Sequence, residues 1–107
     1  MLFKFKSKAA GDLIMLEPNG RRVLSIIGKE PGTQGIILPG QMAAAVTALE
    51  EAVRQEEADH QAAIEEARAS GKPLPQFEGV SLRQRALPFI EMLKRCSAQD
   101  KDIVWGV

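Results

Sequence analysis

The only histidine of the chain lies in an acidic cluster. Glu56 precedes His60 by one helical turn, and Glu57 gives a Glu-x-x-His spacing. Both spacings bring a carboxylate and an imidazole to one helix face, but di-iron bundles need this motif twice, with further glutamates on other helices. The chain contains one copy. The pattern therefore favours a solvated acidic helix, and we predict neither a metal nor a cofactor.

The only cysteine, Cys96, follows Arg95, whose charge would favour a reactive thiolate. Cys96 also ends an apolar helical stripe, where a free cysteine usually packs as a small hydrophobic residue. Its general base would have to be His60 from the acidic cluster. A phosphate-binding loop is not indicated either, because Glu30 follows Lys29 where that motif requires Ser or Thr. We predict no catalytic residue.

Arg83 and Arg85 lie in the first turn of a predicted helix, where the helix dipole favours acidic residues. With Lys72 they could form a site for an external anion such as a phosphate or carboxylate, since free N–H groups point from a helix start. Ion pairs within the chain would satisfy them equally well, and we favour this alternative. The internal partners considered are Glu65, Glu66, Glu78 and Asp102.

The first strand carries lysines on one side and aromatic residues on the other. Lys4 and Lys6 alternate with Phe3 and Phe5, whereas single-stranded nucleic acid is stacked on aromatic rings that share a face with the cations. The 14 basic and 14 acidic residues balance, and the thirds 1–35, 36–70 and 71–107 carry net charges of +3, −5 and +2. Nucleic acid is therefore an unfavoured partner.

Hydrophobic periodicity predicts the elements that position these residues. Alternating or continuous apolar residues predict a hairpin over 2–7 and 12–16 and a terminal strand over 102–107, with an extended segment at 36–38. Helical spacing predicts helices over about 19–28, 39–69 and 82–97. Ser81 and Gln84 form a capping box before the last helix, and Pro88 inside it predicts a bend.

Length and composition limit the class of protein. A chain of 107 residues with 45% hydrophobic and 26% charged residues is typical of one globular domain, here 1–107. The longest apolar runs are far below the roughly 20 residues of a membrane span. One cysteine cannot form an internal disulfide, which suits a reducing compartment. We therefore predict a cytoplasmic protein without a membrane partner.

Both ends of the chain resemble an uncharacterised family of small proteobacterial proteins, a domain of unknown function. The resemblance rests on the opening Met1-Leu-Phe-Lys-Phe-Lys-Ser-Lys-Ala, on Val80-Ser-Leu-Arg-Gln-Arg-Ala-Leu-Pro-Phe-Ile-Glu-Met-Leu and on the closing Ile103-Val-Trp-Gly-Val. It covers most of the chain, except for about 55–77. The resemblance implies no activity, cofactor or catalytic residue.

We predict an α+β fold in which three helices, one of them long, cover a small antiparallel sheet made of the N-terminal hairpin and the C-terminal strand. The 31 residues of 39–69 would span about 46 Å, so the long helix should extend beyond the core. Its distal half either frays in solution or binds a second copy or another protein. The predicted interface comprises Ala58, Ala62, Ala63 and Ile64. We rank a non-enzymatic interaction protein first, an anion or nucleotide binder second and an enzyme third.

Overall fold

A computed structural model describes residues 2–77 and 80–107 and shows an α+β fold. The predicted architecture is confirmed: an antiparallel sheet lies against three helices. The strands are β1 (Leu2–Ser7), β2 (Ala10–Leu16), β3 (Gly35–Ile37) and β4 (Ile103–Trp105). The helices are α1 (Glu17–Ile26), α2 (Pro39–Ser70) and α3 (Leu82–Ala98).

The sheet has the strand order β2-β1-β4-β3, with every pair antiparallel. The N-terminal hairpin and the C-terminal strand therefore pair as predicted, and Phe5 lies opposite Trp105. The extended segment predicted at 36–38 joins the sheet as its fourth strand, with Ile36 opposite Val104. The first and last strands, β1 and β4, therefore lie in the middle of the sheet, flanked by β2 and β3.

Four predicted boundaries were wrong by two residues: the start of β2, both ends of α1 and the end of β4. The second strand begins at Ala10 rather than at residue 12, because the turn between β1 and β2 is shorter than the Ala-Ala-Gly sequence suggests. The first helix begins at Glu17 rather than near residue 19, with Pro18 in its first turn, where the missing proline N–H has no helical partner to lose. It ends before Gly28, whose positive φ of 82° stops the helix.

The alternation in β1 separates two faces of the sheet. Phe3 and Phe5 are buried against the helices. The centroid of the Phe5 ring lies 4.8 Å from that of Phe89 and 5.9 Å from that of Trp105. Trp105 donates its indole N–H to the carbonyl of Gly32 over 3.0 Å, which satisfies its one polar atom. The C-terminal strand is therefore anchored in the core through Trp105 and Phe5.

The opposite face of the sheet is open. Leu2 lies opposite Leu16 and Lys4 opposite Ile14, and the three apolar side chains among them are 55–61% exposed. Lys4 forms a solvent-exposed ion pair with Asp12 at 3.6 Å. The helices therefore cover one side of the sheet only.

Helix α2 is longer than the core it packs on. Its first half supplies the buried residues Met42, Ala45, Val46, Leu49 and Val53, whereas its second half has one buried residue, Ala67, outside the contiguous core. The molecule measures 52 × 28 × 21 Å, and its radius of gyration of 16.0 Å exceeds the roughly 13 Å of a compact chain of this size. The predicted extension of the long helix beyond the core is confirmed.

Candidate functional site

Several of the residues singled out from the sequence meet where the middle of α2 lies beside the start of α3. We call this place the α2–α3 junction; it comprises Glu56, Glu57, His60, Ser81, Leu82 and Arg83. Gly71, in the left-handed conformation at φ 70°, ends α2 and turns the chain back. Residues 72–77, the returning segment, then run back along the distal half of α2, from Lys72 beside Ala67 to Phe77 on His60.

Arg83 is paired within the chain. Its Nε donates to Glu57 Oε2 over 2.7 Å, and its Nη2 donates to Glu57 Oε1 over 2.8 Å. The contact is therefore a bidentate pair of guanidinium and carboxylate. The hydrogen bond from Arg83 lowers the pKa of Glu57, and Glu57 raises the pKa of Arg83. The partner is Glu57, not one of the expected Glu65, Glu66 or Asp102; Glu78 lies outside the described residues.

A second carboxylate, that of Glu56, accepts a hydrogen bond at the start of α3. Glu56 Oε2 accepts the backbone N–H of Leu82 over 2.8 Å, and its Oε1 lies 3.6 Å from Arg22 on α1. The Ser81 hydroxyl accepts the N–H of Gln84 over 3.2 Å, which confirms the predicted capping box. An anion from the chain itself therefore lies where the α3 dipole favours a negative charge.

The three cations predicted to bind an anion do not converge. Arg85 donates its Nε to the Val80 carbonyl over 3.3 Å, within its own helix start. Lys72 lies at the far end of the returning segment, where its N–H bonds to the Ala67 carbonyl. Ala67 lies ten residues beyond Glu57, the partner of Arg83. This separation is about 15 Å along the helix. The structure therefore gives Lys72 no shared site with the arginines.

His60 packs on an aromatic ring of the returning segment. Its imidazole stacks on Phe77 with ring centroids 3.8 Å apart and planes 10° apart, and its Nε2 lies 3.9 Å from Glu56 Oε1. Within residues 2–77 and 80–107, no three His, Cys, Asp or Glu side chains come together in a way that could hold a metal ion. Cys96 is fully buried in the core on α3, as its place in the apolar stripe predicts.

A cleft of about 530 Å³ opens beside the junction. It is lined by Glu56, His60, Gln76, Phe77, Val80, Ser81 and Gln84. Sequence reasoning did not assign Phe77 to this place, because an aromatic residue in a proline-rich segment carries no periodic signal that would show what it packs against.

The four residues of the predicted interface lie on different sides of α2. Ala58 and Ala62, one turn apart, are exposed, whereas Ala63 and Ile64 are half-buried. Ile64 lies outside the contiguous core, as predicted. At about 100° per residue, however, Ala58 and Ile64 point roughly 120° apart around the helix. The exposed part of the predicted interface is therefore the side with Ala58 and Ala62.

Comparison with known proteins places the chain in a family. Residues 1–105 match the family described as Domain of unknown function (DUF1840). The chain belongs to this family. The DUF1840 match includes the acidic stretch at about 55–77, so the α2–α3 junction lies within the family domain. Comparisons with curated proteins and with solved structures gave no match.

The helices of the DUF1840 domain show no membrane span. Among residues 2–77 and 80–107, none of the helices combines the length and the apolar character needed to cross a bilayer. This finding agrees with the sequence, in which acidic residues interrupt even the longest helix.

Proposed function

We propose that this DUF1840 protein is a non-enzymatic interaction protein of the cytoplasm, and that the distal half of α2 is its docking element. The observation that carries the proposal is the extension of α2 past the core. A helix of 32 residues, about 48 Å long, is buried by its own domain only as far as Val53 and again at Ala67. Isolated helical turns of this kind gain most of their stability from packing, so a partner would stabilise them.

The exposed side of the distal half suits close helix contact. Ala58 and Ala62 follow each other at a spacing of four residues, and small side chains let a second helix approach closely. Gln55 and Asp59 on the same half form a hydrogen bond of 2.9 Å with each other. The methyl groups of Ala58 and Ala62 therefore lie beside a stripe of polar side chains.

The partner we propose is a second copy of the chain. A two-fold axis would pair the distal half of α2 with the same half of the other copy, which is the commonest symmetry of soluble oligomers. Because the returning segment covers the opposite side of this half, the partner helix would approach from the side of Ala58 and Ala62. A different protein with an apolar helix face could use the same surface.

Sedimentation equilibrium over a range of protein concentrations tests this proposal. We expect a monomer–dimer equilibrium that Ala58→Glu shifts to the monomer. Ala44→Glu is the matched control, since Ala44 is exposed on the same helix but in its packed half. A strict monomer at every concentration would contradict self-association through α2.

Binding of an external anion by Arg83, Arg85 and Lys72 is the second function we considered. It has less support, because Glu57 already occupies Arg83 and Glu56 occupies the first N–H of α3. A thermal-shift screen with phosphate-bearing ligands tests it through mass action. The anion hypothesis requires a larger stabilisation of the wild type than of the Arg83→Ala, Arg85→Ala double variant.

A further inference from the structure

The outer edge of the sheet at β2 is free. Strand β2 is the first in the order β2-β1-β4-β3, so its other side pairs with no strand among the described residues. Its seven residues, Ala-Gly-Asp-Leu-Ile-Met-Leu, include neither proline nor lysine, and their one charged residue, Asp12, is paired with Lys4. The backbone N–H and C=O groups on this side are therefore available to another strand.

A groove runs beside this edge. It lies between the first half of β2 and α3, has a volume of about 440 Å³ and is open to solvent. Leu13 and Met92 supply apolar surface, and Glu91 and Arg95 come from the exposed side of α3. A strand added to β2 would pair its backbone with the edge and set its side chains against α3.

The charges that α3 places along the groove suit a second copy of this chain. Glu91 and Arg95 are one helical turn apart, and among residues 2–77 and 80–107 neither side chain takes part in an ion pair. A two-fold interface requires a surface that is complementary to itself. An acid and a base on the same rim satisfy that requirement, because an axis passing between them sets each acid opposite the base of the other copy.

We propose that two copies of this chain pair through β2, antiparallel, to form one continuous eight-stranded sheet. Glu91 of each copy then lies opposite Arg95 of the other, and the added strands close the groove. This surface is separate from α2, so the inference does not depend on which side of the long helix docks a partner. A freely exposed strand edge would otherwise be an aggregation site, which pairing removes.

A charge-swap cycle measured by sedimentation equilibrium tests the proposal. Glu91→Arg and Arg95→Glu each set like charges across the two-fold axis, and each should weaken the dimer about tenfold, whereas the double variant restores opposite charges and should return most of the affinity. Both side chains are exposed, so the variants should keep the fold. The cycle is measured in the Ala58→Glu background, which removes association through α2. Glu30→Arg, exposed in the loop before β3 at the other edge of the sheet, is the control and should leave the dissociation constant unchanged.

Amide hydrogen exchange supplies a second readout. Amides of β2 on the free edge should exchange more slowly as the protein concentration rises from micromolar to millimolar. Three results would overturn the proposal: a strict monomer, β2 amides whose exchange is independent of concentration, or a double charge swap that binds no better than the single variants. A protein that dimerises as the wild type but is monomeric in the Ala58→Glu background would assign self-association to α2 alone.

Discussion

The two halves of α2 have the same backbone conformation but different support. Between Met42 and Val53, five side chains are buried in the contiguous core. Between Glu57 and Ser70, the side chains are exposed or half-buried except for Ala67. The first half therefore belongs to the folded core, and the second is a helix held from one side.

The difference shows that helix length and helix packing have separate causes. The distal half keeps good helix formers, alanine and glutamate, and hydrogen bonds at four-residue spacing such as Gln61 to Glu65 over 3.2 Å. Its tertiary support comes from the returning segment and the junction: the His60–Phe77 stack, the Arg83–Glu57 pair and the contact of Glu56 with Leu82. Local propensity thus extends the helix beyond the point where burial ends.

The largest effect should follow from the loss of Trp105, which anchors the packed region. Trp105→Ala removes a fully buried ring and should lower the free energy of unfolding by about 3–5 kcal/mol, measured by urea denaturation. Val107→Ala at the exposed end of the chain is the control and should stay within about 0.5 kcal/mol of the wild type. Equal effects of the two substitutions would show that the terminal strand is not part of the core.

Matched substitutions within α2 sharpen the comparison of its halves. Leu49→Ala should cost about 2–5 kcal/mol, because Leu49 is fully buried in the core. Ile64→Ala should cost less than about 1.5 kcal/mol, since part of that side chain already contacts water. Thermal or urea unfolding of the two variants gives the difference. A cost for Ile64→Ala as large as that for Leu49→Ala would mean that the distal half is packed like the first.

The junction should contribute less than the core. Glu56→Ala removes the acceptor of the Leu82 N–H at the start of α3 and should cost about 1–2 kcal/mol. Glu66→Ala, on the exposed side of the same helix, should be within about 0.5 kcal/mol of the wild type. If both glutamate variants unfold with the same urea midpoint, Glu56 does not hold α3 to α2.

The smallest effect concerns the titration of Glu57. Because Arg83 lowers the pKa of Glu57, the pair stabilises the fold above the ordinary glutamate pKa, and this contribution is lost as the pH falls through the lowered value. An NMR titration of the Glu57 side-chain carboxyl should give a midpoint below the ordinary glutamate pKa, and Arg83→Gln should move it back towards that value. An unchanged midpoint in Arg83→Gln would show that Arg83 does not lower the pKa of Glu57.

The elements that depend on local pattern could be predicted from the sequence. Phe3 and Phe5 alternate with lysines, and the spacing of Leu82, Ala86 and Phe89 marks the buried side of α3, so the strand and the helix face follow directly. The burial of Trp105 also follows from the local pattern, because Trp105 shares one face of the terminal strand with Ile103. These signals are local and repeated.

Contacts between distant residues could not be predicted. Ile36 was expected to be extended, but its pairing with Val104 joins segments far apart in the sequence, and nothing in either segment specifies the other. At the junction, Arg83 pairs with Glu57 rather than with Glu65, Glu66 or Asp102, and only the way α3 lies beside α2 decides between these acids. Pairing of this kind depends on tertiary geometry.

Hydrogen exchange along α2 at low and high protein concentration tests the central claim most directly. At low concentration, amides of residues 58–66 should exchange faster than those of residues 42–53, because only the returning segment covers the distal half. At high concentration the distal amides should become slower while the core amides stay unchanged, since a partner then covers the side of Ala58. Equal protection of both halves at low concentration, or distal exchange that does not respond to concentration, would contradict the proposal that this half is a docking element.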